Sequence, residues 1–435
     1  MRAMEIIRKK RDGGELTTVE IDAFVRGAID GSWQDSQLAA MLMAIVLKGM
    51  TAAETAHLTY AIAHDGTTFN WDDVPGKKVD KHSSGGVGDK TTMILGPLAG
   101  ACGVRIPKMS GRGLGHSGGT LDKLESIPGF RTSIPVDAFR QGLQSVGVVL
   151  GGQIENVAPA DKKLYKLRDV TATVESIPLL TSSILGKKLA EGLDGLVLDV
   201  KYGRGAFMQT LEGARELADM LMAVNRANGL PTTVILSGMD APLGRAIGNA
   251  LEVVESVETL RGNGPRDLHE LSVHLAAHMV LRAGLAESLD AALEQVETAL
   301  RSGAGLQKFR EIIANQGGDP QIVDDLSRLP QAKEVVELTA PRSGYLQRMD
   351  AEKLGFAAVR LGAGRDRDGD SIDPAVGFVL KAKPGEYLHA GQPWIAVHFN
   401  DSRRLESARE LLDAAVEFGP TSVTIPPIIA EIRMG

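Results

Sequence analysis

One cysteine stands in 435 residues, Cys102, so an intrachain disulfide and a cysteine-based zinc site are both excluded. Its neighbours from Leu95 to Val104 are small or apolar, which predicts a buried small hydrophobe rather than a nucleophile. An excess of basic charge is missing too. With 48 Lys and Arg against 55 Asp and Glu, the net charge of -7 argues against broad binding to nucleic acid or to an anionic membrane surface. No apolar run reaches spanning length, and the first ten residues mix charges at helical spacing without a signal-peptide core. A cytoplasmic protein without a membrane partner is expected.

The familiar nucleotide motifs are missing as well. Gly85-Gly86-Val87-Gly88-Asp89-Lys90-Thr91 ends like a Walker A loop, but Asp89 stands where that loop needs Gly, and its carboxylate would repel phosphates. A dinucleotide fingerprint fails because Thr91 follows Gly86-Val87-Gly88 where Gly or Ala is required, and Gly111, Gly113 and Gly115 have the wrong spacing. A metal reading of His269, His274 and His278 finds no carboxylate pattern, and Asp366 to Asp370 lacks the glycine position and closing Glu of a calcium loop.

What is present is a pair of glycine-dense, hydroxyl-rich loops on either side of one apolar segment. The first runs from Asp80 through Lys81-His82-Ser83 to Thr92, the second from Lys108 through Ser110 and His116 to Thr120. Glycines let backbone N–H groups approach an anion, and hydroxyls and ammonium groups add donors, so the pair reads as an oxyanion cradle. Glycine counting alone leaves plain turns equally open.

Whole words in both loops resemble the signatures of the thymidine and pyrimidine-nucleoside phosphorylases. They are Lys81-His82-Ser83 with Gly85 to Asp89, and Ser110-Gly111-Arg112-Gly113-Leu114-Gly115-His116 followed by Gly118 to Glu125. The likeness extends over nearly the whole chain. It implies phosphorolysis of uridine, thymidine or deoxyuridine, with inorganic phosphate as co-substrate and no organic cofactor. Carried over, the phosphate site would be Lys81, Ser83, Thr92, Lys108, Ser110 and Thr120. The base site would be Arg168, Ser183 and Lys187, with Leu114 and Tyr165 as apolar walls. His82, Arg168 and Lys187 would be the catalytic groups: the two cations favour charge on the departing base, and His82 offers a proton or hydrogen bond. His116, among turn residues, reads as structural.

Lys108 before Met109-Ser110 resembles the broad-specificity members, and would reach a ribose 2′-hydroxyl. A thymidine-specific phosphorylase is the alternative; an anthranilate-type phosphoribosyltransferase, or a non-catalytic sensor of nucleoside or phosphate, stands further off. The resemblance also implies a potassium ion near Gly88, residue 90, Leu243, Ala246 and Glu255. A Thr is common at residue 90 and this chain has Lys90, whose ammonium would either replace the ion or point to solvent.

The fold expected is α/β. Residues 1–66 read as short amphipathic helices with Thr17 or Thr18 and Thr51 as N-caps. Gln37 to Leu47 is apolar on most sides, so it should be buried between helices or against another chain. Apolar strands near Val104–Pro107, Ser145–Leu150, Gly195–Val200 and Thr232–Ser237 alternate with helices at Thr92–Ala99 and Leu211–Gly229. That pattern gives a large domain with a mostly parallel sheet. By resemblance, 160–190 returns to the small all-helical domain, which makes that domain discontinuous, and the helices of 1–66 are expected to pair two copies as a homodimer. Residues 67–159 and 191–330 then form the large domain, and 331–435 a C-terminal α+β domain that resembles lipoyl carriers without an attachment lysine. Phosphate and base on different lobes imply closure, with hinges near Asp65-Gly66, Gly151-Gly152 and after Lys188.

Overall fold

The structure, a computed structural model, describes residues 2–113, 115–154, 156–367 and 369–435. Four helices open the chain: α1 (Ala3–Arg11), α2 (Thr18–Asp30), α3 (Asp35–Lys48) and α4 (Ala52–Ala63). Capping boxes start α2 and α4. The Thr17 and Thr51 hydroxyls accept from the Glu20 and Glu54 amides, and each glutamate returns to its cap's own N–H, which satisfies donors the first turn leaves bare.

The large domain begins at β1 (Val79–Ser83), followed by α5 (Thr92–Ala101), β2 (Ile106–Ser110), α6 (Thr120–Leu124), α7 (Val136–Ser145) and β3 (Val148–Gly152). Then come α8 (Pro159–Val170) and α9 (Ile177–Ala190), which pack on α2, α3 and α4. A Cβ on Gly66 would run into the Asn156 carbonyl and the Pro159 ring, so only glycine lets the chain leave the first helices so close to α8. Residues 67–78 join the two lobes: Phe69, Trp71 and Val74 share one core with Phe24, Leu38 and Leu164 of the helical lobe and with Phe139 and Val149 of the large domain.

The alternation resumes with β4 (Gly195–Tyr202), α10 (Leu211–Ala227), β5 (Thr232–Gly238) and the short β6 (Ala246–Ile247), then α11 (Asn249–Leu260), α12 (Arg266–Arg282), α13 (Leu289–Arg301) and α14 (Ala304–Asn315). Strands β1, β4 and β5 are parallel neighbours, with Lys81 opposite Val197 and Leu198 opposite Val234. Strands β2 and β3 form a parallel pair beside them, joined to the first sheet by a bridge from Lys78 to Arg105. Helices α5, α11, α12 and α14 cover one face with an apolar core, and α10 with part of α9 covers the other. Both faces of the sheet are therefore dry, as continuous apolar strands require. His278 is buried within that packing, and Cys102 is half-buried at its edge with its thiol pushed up to about 11 by burial.

The remaining elements are β7 (Glu334–Thr339), β8 (Gly344–Met349), α15 (Ala351–Leu361), β9 (Gly377–Leu380), β10 (Tyr387–Leu388), β11 (Pro393–Phe399), α16 (Ser402–Ala414), β12 (Val416–Gly419) and β13 (Ile429–Met434). Two small antiparallel sheets, β6-β9-β11-β7 and β10-β8-β12, pack with α15 and α16 around their own core. The sequence places all of 331–435 in this domain, but β13 leaves it. It runs antiparallel to β5 as the outer strand of the large sheet, with Ile432 opposite Ile235. The small domain also borrows β6 from the large one. Among the described residues no helix is long and apolar enough to cross a membrane.

Candidate functional site

The carboxyl ends of β1, β2 and β4 lie at one edge of the large domain, where parallel sheets place ligands. Both glycine loops leave from that edge. Gly113 and Gly119 pass so closely that a Cβ on either would strike the other's backbone, which explains why the second loop carries no side chain at those points. The Asp122 carboxylate holds this loop by accepting from the Gly113 amide at 2.8 Å and from Arg112 at 3.1 Å, and Arg365 of the C-terminal domain adds a third bond at 2.8 Å.

Strand alternation sorts the charges of β1. Lys81 points to one side, where its Nζ donates to the Thr91 hydroxyl at 2.8 Å and lies 3.6 Å from Asp89 and 3.4 Å from Asp199. Lys201 joins the same group, 2.8 Å from Asp199. Burial alone would raise the Asp89 carboxyl, but Lys81 and Lys201 hold it well below the usual range. Two cations and two carboxylates thus balance before any ligand arrives, and Lys81 reaches the cavity already oriented.

Asp80 points to the opposite side. There it accepts from Lys188 at 2.7 Å and Lys108 at 3.2 Å, while Lys188 also bonds Glu191 at 2.6 Å. Burial lowers Lys108 to about 8 and raises Glu191 to about 7, so this group holds ionisable members near neutrality. His82 lies above it. Burial first, then Lys188 and Lys108, keep its imidazole well below the ordinary value and therefore neutral at pH 7.

Across the gap, α8 supplies Tyr165 and α9 supplies Ser183 and Lys187. The Lys187 ammonium donates to Asp161 at 2.5 Å and to Ser183 at 3.2 Å. A cavity of about 380 Å³ joins the two walls, with Lys81, Ser83, Thr92, Ser110 and Thr120 on the loop side and Tyr165, Ser183 and Lys187 on the helical side. His82 and Lys108 line it as well. The Ser110 hydroxyl is buried there without a hydrogen-bond partner, which is costly unless a ligand supplies one. A larger cavity, about 780 Å³, lies between the large and C-terminal domains but takes in neither loop. The chemistry follows the smaller one.

Four sequence expectations need correction or placement. Arg168 does not line the cavity: it is 2% exposed, and its guanidinium donates to the carbonyls of Thr173 at 3.2 Å, Leu179 at 3.1 Å and Val174 at 2.7 Å. It clamps the turn between α8 and α9 and sits 5.7 Å from the Tyr165 ring centre. Lys108 lines the cavity with two of its three donors already taken, by Asp80 at 3.2 Å and by the Lys81 carbonyl at 2.6 Å. Leu114 lies outside the described residues. Lys90 does not point to solvent; its Nζ is bonded to Leu243 O, Ala246 O and Glu255, and Gly88 O accepts the Lys90 amide. His116 donates from Nε2 to Gly205 O at 3.3 Å and packs on Phe356.

Sequence reading passed over Asp80, Asp161, Lys188, Glu191, Asp199 and Lys201. For the last two a signal existed: Asp199 and Lys201 are charges at alternate positions of an otherwise apolar strand.

Known proteins share both the domains and their order. Residues 75–306 match the glycosyl transferase family, a/b domain; residues 4–66 match the helical bundle domain of the same family; and residues 345–419 match the pyrimidine nucleoside phosphorylase C-terminal domain. The chain is 47% identical to the pyrimidine-nucleoside phosphorylase of Geobacillus stearothermophilus, over 99% of each chain. It is 49% identical to that of Bacillus subtilis, over 92% of each. Among solved structures, anthranilate phosphoribosyltransferase from Thermus thermophilus superposes with a TM-score of 0.58 over 72% of this chain and 99% of its own, at 19% identity, a likeness of fold.

Proposed function

Because the chain belongs to the pyrimidine-nucleoside phosphorylase family, we propose that it cleaves uridine, thymidine and deoxyuridine, releasing free base and the matching (deoxy)ribose 1-phosphate. Phosphorolysis of pyrimidine nucleosides is its activity, with nucleoside and phosphate as substrates.

One observation carries it: Lys81 and Lys187, from different lobes, open onto the same cavity. Phosphate sits against Lys81, Ser83, Thr92, Ser110 and Thr120, where Ser110 gains the partner it lacks. A phosphate oxygen attacks the anomeric carbon as the bond to the base nitrogen breaks, and the electron pair leaves with the pyrimidine. Lys187 meets the negative charge that grows on the base, an interaction stronger in the transition state than in the substrate. His82, held neutral, serves as a hydrogen-bond donor to a base oxygen, and a solvent proton completes the free base.

Arg168 has two N–H groups beyond the three that hold the α8–α9 turn. Closure of the helical lobe turns that edge, beside Tyr165, toward the second base oxygen. Lys108 likewise keeps one donor for the ribose 2′-hydroxyl. The enzyme works in the cytoplasm as a homodimer through α2, α3 and α4, where Val19, Met43, Leu47 and Tyr60 leave apolar surface exposed. Base release from the three nucleosides with and without phosphate tests the activity. Release that requires phosphate is expected; no release, or release indifferent to phosphate, overturns the reading.

A further inference from the structure

The family resemblance implies a monovalent cation among the oxygens of Gly88, residue 90, Leu243, Ala246 and Glu255, and the residues of this chain do not fit one. Lys90 is 1% exposed, and its ammonium donates to Leu243 O at 3.1 Å, Ala246 O at 2.8 Å and Glu255 Oε2 at 2.5 Å. An ammonium has three N–H groups, and three acceptors receive them. The Gly88 carbonyl accepts the Lys90 amide at 2.9 Å within the loop. Glu255 is completed by the amides of Arg245 at 2.8 Å and Ala246 at 3.0 Å. A cation touching the same oxygens would have to occupy the position of the nitrogen.

The surroundings oppose a second positive charge. Lys383 reaches the same segment from the C-terminal domain, bonding Pro242 O at 2.5 Å and Gly244 O at 2.8 Å beside Asp267 at 3.1 Å. Room is short as well, since a Cβ on Gly244 would lie 3.1 Å from the Lys90 nitrogen. The segment so held is tied to the first glycine loop by the Leu243 amide, which donates to Val87 O at 3.1 Å.

We propose that Lys90 is a tethered cation: its ammonium does the work of the family's monovalent ion, fastening residues 243–247 to the phosphate loop without potassium. A covalently attached charge cannot dissociate, so the clamp holds at any potassium concentration. The side chain also gives up little freedom to hold it, because it is already packed.

The test measures thermal unfolding of the full-length enzyme in potassium, sodium and tetramethylammonium chloride at equal ionic strength, for the wild type, Lys90→Thr and Lys90→Met. The wild type is expected to melt at the same temperature in all three salts. Lys90→Thr should melt lower in tetramethylammonium and recover saturably as potassium is added. Lys90→Met, which fills the space without charge or oxygen, should stay low throughout. A saturable rise of the wild-type melting temperature with potassium overturns the proposal, as does Lys90→Thr melting alike in every salt. Should Lys90→Thr fail to fold, thallium soaked into wild-type crystals decides: no anomalous peak beside Glu255 supports the proposal, and a peak there refutes it. Melting does not depend on nucleoside chemistry, so this result stands apart from that of the phosphorolysis assay.

Discussion

Replacing Lys187 with methionine separates the chemistry of the base site from its architecture. The ammonium gives one bond to Asp161 and one to Ser183, which leaves a third donor for the base. If that donor meets charge that appears only as the glycosidic bond breaks, its loss should lower kcat by about 10²–10³-fold, or about 3–4 kcal/mol. The same change strips Asp161, only 7% exposed, of its counter-ion. For a pair whose lysine is 27% open to solvent, that costs stability near the low end for buried pairs, about 3 kcal/mol. The double variant Lys187→Met/Asp161→Asn removes the orphaned charge. It should recover the melting temperature while kcat stays low. Steady-state phosphorolysis of uridine and of 5-fluorouridine completes the assay, because a base that leaves as the less basic anion needs the cation less, so its deficit should be smaller. Equal deficits for both nucleosides, or a double variant that regains kcat, would refute leaving-group stabilisation by Lys187.

Lys108→Met should lower kcat/KM for uridine about 10–100-fold relative to deoxyuridine, the loss of one hydrogen bond from a charged donor. Because burial brings the Lys108 ammonium to about 8, it is charged below that pH and neutral above, so wild-type preference for uridine should fall as pH rises through about 8 and be flat in the variant. Asp65 accepts the Ala160 amide at the start of α8 at 2.8 Å, and burial, with Asp161 adding to it, raises its carboxyl to about 6. A raised folded-state value means a contribution to stability that is whole below about pH 4 and lost as pH passes about 6. Asp65→Asn should therefore raise the melting temperature at pH 8 and change it little at pH 4, as a calorimetric pair of scans would show. Leu47, 72% exposed on α3, is the point to test the dimer: Leu47→Glu should shift the mass seen by light scattering toward the monomer without unfolding the chain.

Legibility followed sequence distance. Both glycine loops were readable because each is one continuous word, and the strands β4 and β5 because Leu196–Leu198 and Val234–Leu236 are apolar runs set among β-branched residues and turn signals. The group of Asp80, Lys108, Lys188 and Glu191 was not readable. Its members come from β1, β2, α9 and the residue after it, and only the fold brings Lys108 and Lys188 to Asp80, at 3.2 and 2.7 Å. Arg168 shows a different limit. The residue type and motif pointed to a ligand, whereas three carbonyls of the following turn claim most of its fork, and no local pattern announces a carbonyl's direction. Strand β13 was hidden because its pairing partner lies almost two hundred positions earlier. Its own residues, Ile429 to Met434, alternate too weakly to name a sheet.

That last strand governs which parts can travel. The carboxyl-terminal domain is entered from α14 and left through β13, so both of its ends are moored to the large sheet, and β6 stitches it at a third place. A body fastened at three points cannot swing. A displacement that shut the cleft would come from the helices that carry Tyr165 and Lys187, with the other two domains serving as one anvil against which they close.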